Sequence, residues 1–348
     1  MLMLTKRRFL MLAAAIGGPI LSSRASSAPQ QSRGQWSGLP LGAGGFITGH
    51  SISNDGKTLV CHADTYGCYI SSKSHDGGKA WIQFPSGNPP SSSISGCVGG
   101  CIAAADHLTF MWIPRRHGST PHLSQPYVTV DSGNTWAKTI PPAIPASGDG
   151  GWGNSFLPNR QIVCADRVLH RTFYAYSSVG GFYRYEAGTA ATDGTWSRRT
   201  AKLLPSDEGL VKIRSVPGHA GHVFACSGPL NPANQPYAVF MRSTDGCANF
   251  IPIANVQCVR AFGFGKAAPG SDHPAVYIAG LYKKKWGVYR STDHLAAWNA
   301  NTVEWLQIGD YPLGNYDMIT TVEGDANEFG TVYIGFSGSG GAYFSLAA

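Results

Sequence analysis

The sequence has few charged residues and lacks the patterns that identify several large protein classes. Only 14% of its 348 residues are Asp, Glu, Lys or Arg, whereas 44 are glycine. It contains no Gly-rich phosphate loop, and its eight cysteines form no pair of Cys-x-x-Cys motifs, so neither a nucleotide cofactor nor a structural zinc is expected. This composition is typical of a turn-rich, all-β protein that is long enough for a large core.

Long apolar runs are also missing, apart from a short one at the N-terminus. The basic segment "TKRRFL" (5–10) precedes the apolar run "MLAAAIGGPIL" and the small residues "SSRASSA", an order typical of an export signal. The segment resembles a twin-arginine signal, with cleavage expected after Ala25. The apolar run is too short to span a bilayer comfortably. We therefore expect residues 1–25 to be an export signal, the protein to be periplasmic or secreted, and no membrane span to remain after cleavage.

The net charge argues against nucleic acid as a partner. Loss of residues 1–25 removes four of the 27 basic residues, and the remaining 23 face 20 acidic ones, so the formal charge falls from +7 to +3. This excess is far from the dense basic patches of nucleic-acid-binding proteins. In an exported protein the cysteines permit disulfides, but many pairings are open and buried free thiols remain an alternative.

What the sequence does contain is a repeat. The segment "STDGCANF" (243–250) returns 48 positions later as "STDHLAAW" (291–298), and "SHDGGKAW" (74–81), "TVDSGNTW" (129–136) and "ATDGTW" (191–196) follow the same pattern. The pattern Ser/Thr-x-Asp-x-Gly-x-x-Trp is the Asp box, whose Asp and Ser/Thr side chains satisfy backbone donors of a hairpin turn. A period of about fifty residues with β-type segments between the copies predicts a modular all-β protein.

Each box ends a hairpin of alternating strands, such as "HVFACSG" and "YAVFMRS" before Asp245. Four strands per unit, repeated radially, form a β-propeller blade, with the boxes on the face away from the usual ligand site. The units predict six blades, and segment 34–42 is expected to supply the outer strand of the last blade, which closes the ring. The prediction is a single all-β β-propeller of four-stranded blades over residues 34–348.

Several segments resemble a known family. "GAGGFITGHSIS" and "LVCHADTYGCYIS" resemble the opening blade of glycoside hydrolase family 74, the xyloglucanases and oligoxyloglucan reducing-end cellobiohydrolases, and "FGKAAPG" before "PAVY" is the most specific match. The resemblance runs along most of the mature chain. It implies seven blades rather than six, and a glycosidase that acts on a polysaccharide or oligosaccharide. Family members have two propellers that face each other across a cleft, whereas this sequence has one.

The resemblance carries over one catalytic carboxyl. In this family each propeller contributes one Asp from its first blade, and only Asp64 in "ADTYGCY" matches, with His62 where the family has Arg. Tyr66 alters the loop and is a candidate for substrate binding. Inverting hydrolysis needs two carboxyls, one as acid and one as base. Asp317 in "GNYDMIT" is the second candidate, because it should precede the inner strand of the last blade on the same face. Its alternative role is to cap a turn, and Tyr316 beside it is a candidate for substrate binding.

A basic loop leaves a different chemistry open. The segment "PRRHGSTPHLSQ" (114–125) contains Arg115, Arg116 and His117, which would suit a sugar carboxylate, since Arg offers it a planar fork. His117 or His62 could act as a base near neutral pH. A lyase that cleaves uronate links, such as rhamnose–glucuronate, is therefore the first alternative. A solvated basic loop with no catalytic role is equally consistent with the sequence.

Two tryptophans and one glycine-rich loop complete the candidates. Trp112 and Trp152 are expected near the same face, where each would either stack on a sugar or pack between blades. No cofactor is expected, although Asp149 in "GDGGWGN" leaves a structural calcium open. Because Asp boxes also occur in proteins without activity, a non-catalytic glycan-binding propeller is the second alternative.

Overall fold

The computed structural model describes residues 34–38, 47–52, 59–63, 68–71, 82–84, 97–116, 125–131, 135–145, 150–152, 161–204, 211–228 and 239–346. These residues form 24 strands and one short helix, and the strands are arranged in six four-stranded antiparallel sheets. The expected export signal lies outside the described residues.

Five sheets are each formed by four consecutive strands, which we number from the inner to the outer strand of a blade. Blade 1 consists of β2 (Ile47–Ile52), β3 (Leu59–Ala63), β4 (Cys68–Ser71) and β5 (Ile82–Phe84). Blade 2 consists of β6 (Cys97–Ala104), β7 (Phe110–Arg116), β8 (Tyr127–Thr129) and β9 (Ala137–Lys138). Blade 3 consists of β10 (Val163–Ala165), β11 (Thr172–Ser177), β12 (Gly181–Glu186) and β13 (Thr195–Thr200).

The next two blades follow the same order. Blade 4 consists of β14 (Val211–Ser215), β15 (Val223–Ser227), β16 (Val239–Ser243) and β17 (Ile251–Pro252). Blade 5 consists of β18 (Val256–Gly265), β19 (Ala275–Tyr282), β20 (Lys285–Ser291) and β21 (Leu306–Asp310), with helix α1 (Leu295–Ala300) between its last two strands. All residues of β11 and β19 are buried, because sheets cover both faces of these strands.

The sixth sheet joins the two ends of the described chain. Blade 6 consists of β22 (Ile319–Gly324), β23 (Val332–Phe336), β24 (Gly341–Leu346) and, as its outer strand, β1 (Gly34–Gly38). Strand β1 runs antiparallel to β24 and places Trp36 opposite Phe344, with ring centroids 5.3 Å apart. The prediction that segment 34–42 supplies the missing outer strand is confirmed by β1.

The six inner strands surround a central axis. Each inner strand lies beside the inner strand of the next blade, and β22 contacts both β18 and β2, so the ring is closed. The predicted single all-β propeller is therefore confirmed. The described residues form six blades, the number expected from the repeats, rather than the seven that the family resemblance implied.

The connections between strands define two faces. On the front lie the turns between the second and third strands and the connections from an outer strand to the next inner strand. On the rear lie the turns between the first and second strands and between the third and outer strands, which include the described Asp boxes.

The Asp box of blade 4 shows how these turns are held. The carboxylate of Asp245 accepts hydrogen bonds from the backbone of Ala248 and Asn249 at 3.0 and 2.9 Å and from the Ser243 hydroxyl at 2.8 Å. Burial alone would raise the pKa of Asp245, but these hydrogen bonds lower it to about 2. Gly246 adopts a φ of 68°, a conformation that costs glycine little. The structural role predicted for the box is thus explained by its hydrogen bonds.

A second hydrogen-bonding arrangement of aspartate stabilises turns between the first and second strands of a blade. Asp166 accepts hydrogen bonds from the backbone of Val168 and Leu169 and from the Tyr174 hydroxyl at 2.9 Å. Asp325 repeats this arrangement with its own following backbone and with the hydroxyl of Tyr333 at 3.0 Å. This arrangement was not predicted, and its signal in the sequence is an Asp eight residues before a Tyr of the next strand.

Buried charges lie at the rear end of the inner strands. Glu323, near the end of β22, lies 2.9 Å from Arg214 at the end of β14 and 3.5 Å from Arg167, which follows β10. Blades 3 and 6 are opposite each other in the ring, so this ionic cluster spans the axis. Lys212 is buried further along β14, and burial lowers its pKa to about 7.

A column of aromatic rings fills the rear between blades 4 and 5. His219 stacks between His222 and His273 with centroid distances of 5.2 and 5.3 Å, and His273 stacks on Trp298 at 5.0 Å. Burial is the largest cause that lowers the pKa of His273, to about 4, although its ring contacts the Pro274 carbonyl. His273 is therefore a neutral core residue at neutral pH.

Candidate active site at the front of the propeller

Asp317 lies on the front face beside the inner strand of blade 6, where the sequence predicted it. It is exposed, it precedes β22 by two residues, and its backbone N–H donates to the Ser339 hydroxyl at 3.3 Å. Its Oδ2 lies so close to Gly338 that a Cβ added there would be 2.8 Å away. The carboxylate thus leans over the turn between the second and third strands of its own blade.

The carboxylate of Asp317 differs from the other aspartates in its hydrogen bonding. Nine other aspartates of the described residues each accept at least one hydrogen bond that fixes a turn or a neighbouring side chain: Asp106, Asp131, Asp166, Asp193, Asp245, Asp272, Asp293, Asp310 and Asp325. Within the same part of the chain, no hydrogen-bond donor reaches either carboxylate oxygen of Asp317. The turn-capping alternative for its side chain therefore has no support in the geometry.

Aromatic side chains flank this carboxylate. Tyr316 is half-buried and stacks on Phe336, with centroids 4.4 Å apart and ring planes 5° from parallel. Tyr311 opens the same connection and packs against Trp286 of β20 at 5.3 Å. The connection 311–318 therefore presents two tyrosines and one aspartate on the front face.

An arginine approaches the same connection from the inner strand of blade 5. The guanidinium of Arg260 is buried and contacts the sulfur of Met318. Burial raises the pKa of Tyr311, Arg260 lowers it and Asp317 raises it, so the phenol lies within electrostatic reach of both charges. Arg260 and Tyr311 were not predicted as site residues, because no local sequence pattern indicates that β18 lies next to the residues that precede β22.

The lysine run of blade 5 forms a tight front turn. Lys283 and Lys284 both have positive φ, 47° and 65°, as the central residues of a two-residue hairpin require. The amine of Lys283 lies 3.0 Å from the Glu304 carboxylate, which also accepts the Tyr282 hydroxyl at 2.6 Å. Lys284 and Lys285 are exposed beside this pair.

Most of the other candidates lie where the structure gives no side-chain position. Asp64, Tyr66 and His117 are outside the described residues, and the strand order places the connection 64–67 between the second and third strands of blade 1. His62 belongs to β3. The sequence predicted that Arg115 and Arg116 lie in a loop. This prediction is wrong, because β7 continues through Arg116, which pairs with Cys97.

The two candidate tryptophans are buried. Trp112 is 5% exposed and packs against Tyr127 and against the box residue Trp136, at 6.3 and 5.8 Å. Trp152 is 3% exposed, and its indole N–H donates to Gln125 at 3.3 Å. Neither ring has a free face for a sugar, so the geometry favours the packing alternative for both.

Other binding classes are constrained by what the described residues contain. They include no group of three or more His, Cys, Asp or Glu side chains that could hold a metal ion. No helix among them has the length and apolar character needed to cross a membrane. Five cysteines in this part of the chain are free and buried, which fits the thiol alternative for Cys101, Cys164, Cys226, Cys247 and Cys258.

Comparison with known proteins gives consistent relatives. No family model matches the chain. The sequence is 34% identical over 290 residues to a xyloglucanase of Acetivibrio thermocellus, covering 82% of this chain and 28% of the relative. It is 29% identical over 304 residues to an oligoxyloglucan-reducing end-specific xyloglucanase of Emericella nidulans, covering 82% of this chain and 33% of the relative.

Comparison with solved structures also finds a xyloglucanase. A crystal structure of the GH74 xyloglucanase from Xanthomonas campestris superposes with a TM-score of 0.54 at 26% identity, covering 85% of this chain and 36% of that one. This chain spans a third or less of the length of the two curated relatives. The similarity therefore concerns one portion of larger proteins.

Proposed function

We propose that this glycoside hydrolase family 74-like β-propeller is an exported enzyme that hydrolyses glycosidic bonds of xyloglucan. The likeness to that family, expected from the opening blade and from "FGKAAPG", is confirmed by the relatives. The similarity to two xyloglucanases over 82% of the chain supports the substrate class. The exposed Asp317 carboxylate, with no described hydrogen-bond donor, is the observation that supports a reactive front face.

The proposed chemistry uses two carboxyls on adjacent blades. Asp317 precedes the inner strand of blade 6, and Asp64 directly follows β3, the second strand of blade 1, which is the next blade of the closed ring. One carboxylic acid donates its proton to the leaving glycosidic oxygen while the other carboxylate takes a proton from the attacking water. Inverting hydrolysis requires a separation of roughly 6.5–9.5 Å between them, which leaves room for that water.

The test is hydrolysis of soluble xyloglucan, followed by the appearance of new reducing ends. Asp317→Asn and Asp64→Asn should each lower kcat by about 100-fold or more, because each removes a proton-transfer group. The matched control is Asp310→Asn, an exposed front-face carboxylate that already accepts a hydrogen bond from Gln307 at 2.9 Å. This control should keep nearly full activity.

Three outcomes would contradict the proposal. Products that absorb in the ultraviolet would identify a lyase that forms an unsaturated uronate. Binding of xyloglucan by the wild-type protein without new reducing ends would identify a non-catalytic propeller. Full activity of Asp317→Asn would remove Asp317 from the reaction.

A further inference from the structure

The front of blade 5 carries an aromatic pair that the proposed reaction does not use. Trp286 and Tyr311, which we call the aromatic platform, are both half-buried, with centroids 5.3 Å apart and ring planes tilted by 32°. Trp286 is the second residue of β20, directly after the lysine turn, and Tyr311 directly follows β21. Both residues therefore lie at the front edge of the blade.

The repeat does not explain why Trp286 is partly exposed. Trp286 pairs with Leu281 in the second cross-strand pair from the front turn. The same register is occupied by Phe182 in blade 3 and by Ala342 in blade 6, and both are fully buried. This position is thus a core position in other blades. A large indole left partly in water forgoes part of its hydrophobic stabilisation, and the exposed part of its ring can pack against a ligand.

The platform adjoins the candidate carboxyl. Tyr311 and Asp317 are the two ends of one short connection, and Tyr311 lies within electrostatic reach of Asp317 and Arg260. Met318, which contacts Arg260, continues the same surface towards the inner strand. A chain that lies over the platform can therefore extend to Asp317.

We propose that Trp286 and Tyr311 form a subsite on which a pyranose ring of a β-glucan backbone stacks while a neighbouring glycosidic bond reaches Asp317. A pyranose with equatorial substituents presents a flat face of C–H groups, which pack on an aromatic ring much as apolar side chains do. Lys284 is exposed in the turn before Trp286 and offers a hydrogen-bond donor for sugar hydroxyls on the same side of the blade edge. This inference rests on the proposed function for its choice of glycan.

Binding is measured separately from catalysis. In the Asp317→Asn background, isothermal titration with xyloglucan oligosaccharides should give roughly tenfold weaker affinity for Trp286→Ala, the equivalent of losing one aromatic contact. Trp286→Phe keeps an aromatic face and should recover most of the affinity. The matched control, Trp136→Ala, removes a half-buried tryptophan from the rear face and should leave affinity unchanged.

Thermal unfolding of each variant verifies that it is folded, and Trp286→Phe remains informative if the alanine variant is not. Unchanged affinity for folded Trp286→Ala would overturn the subsite, even if Asp317→Asn abolishes hydrolysis. Weakened affinity in a protein that never releases reducing ends would support the subsite and overturn the hydrolase. Failure of the wild-type protein to bind xyloglucan would overturn the subsite as stated.

Discussion

Replacing Glu323 with Gln should destabilise the propeller by about 3–5 kcal/mol, because it removes one partner of a buried ion pair and leaves the other charged. The Glu323 carboxylate forms ion pairs with Arg214 at 2.9 Å and with Arg167 at 3.5 Å. The side chain of Glu323 is 2% exposed, that of Arg214 5% and that of Arg167 11%. Arginine keeps its charge at any pH that a folded protein survives. The substitution therefore removes the carboxylate that the two guanidiniums share.

The matched control is an ion pair of similar geometry on the surface. Arg184 and Glu186 are 2.5 Å apart, but their side chains are 28% and 58% exposed. Exposed pairs contribute about 0–1 kcal/mol, so Glu186→Gln should change stability little. Urea denaturation, monitored by circular dichroism, should give a much lower midpoint for Glu323→Gln than for the wild type. The slope of the unfolding free energy against urea concentration should be similar, because the surface area exposed on unfolding is unchanged.

A second substitution separates charge from packing. If the uncompensated charge is the cause, Glu323→Gln combined with Arg214→Met should lose less stability than the two single losses added together. Equal and small losses for Glu323→Gln and Glu186→Gln would refute the reasoning. In that case the two arginines would have to reach water or another anion, and the rear of the axis would be open.

Two further predictions concern pH. Burial holds the pKa of His273 at about 4, and the unfolded chain takes up this proton near 6.5, so stability should fall by up to roughly 3 kcal/mol between pH 6.5 and 4. His273→Phe should reduce that slope, and an unchanged slope would assign it to other groups. Because hydrogen bonds lower the pKa of Asp245 to about 2, its contribution should be present above pH 4 and lost as the pH falls through 2. Asp245→Asn should cost about 1 kcal/mol at pH 7 and almost nothing at pH 2, measured by thermal unfolding.

The ring could be predicted from sequence because its signals are local. An Asp box is a short turn with a local sequence pattern, and at Asp245 its carboxylate hydrogen bonds lie within the box, so such a pattern marks a blade boundary in the sequence. The closing strand β1 was predictable for a related reason. The hairpin of β23 and β24 lacked an outer strand, and one unused strand-like segment remained at the other end of the propeller.

The surroundings of the candidate site could not be predicted, because they depend on residues distant in sequence. Arg260, Trp286, Tyr311 and Asp317 come from an inner strand, a third strand and a connection, and only the closed ring brings them to one region. Trp112 and Trp152 show the converse. Their positions in the sequence suggested the front face, but whether a tryptophan is buried depends on the side chains that pack against it. Trp136 packs against Trp112, and Tyr183 packs against Trp152.

Aspartate is used for two opposite purposes in this protein, and hydrogen bonding separates them. Asp166 and Asp325 are fully buried and accept hydrogen bonds from backbone and tyrosine, so their charge is already committed to holding a turn. Catalysis requires the reverse, since a carboxylate that transfers a proton must keep a lone pair available to substrate or water. Asp317 meets that requirement on the front face, opposite the Asp boxes and the ionic cluster of Glu323. The aspartates of the repeat therefore do not indicate where the reaction takes place. The better indicator is Asp317, the aspartate whose carboxylate does not stabilise a turn in the described part of the chain.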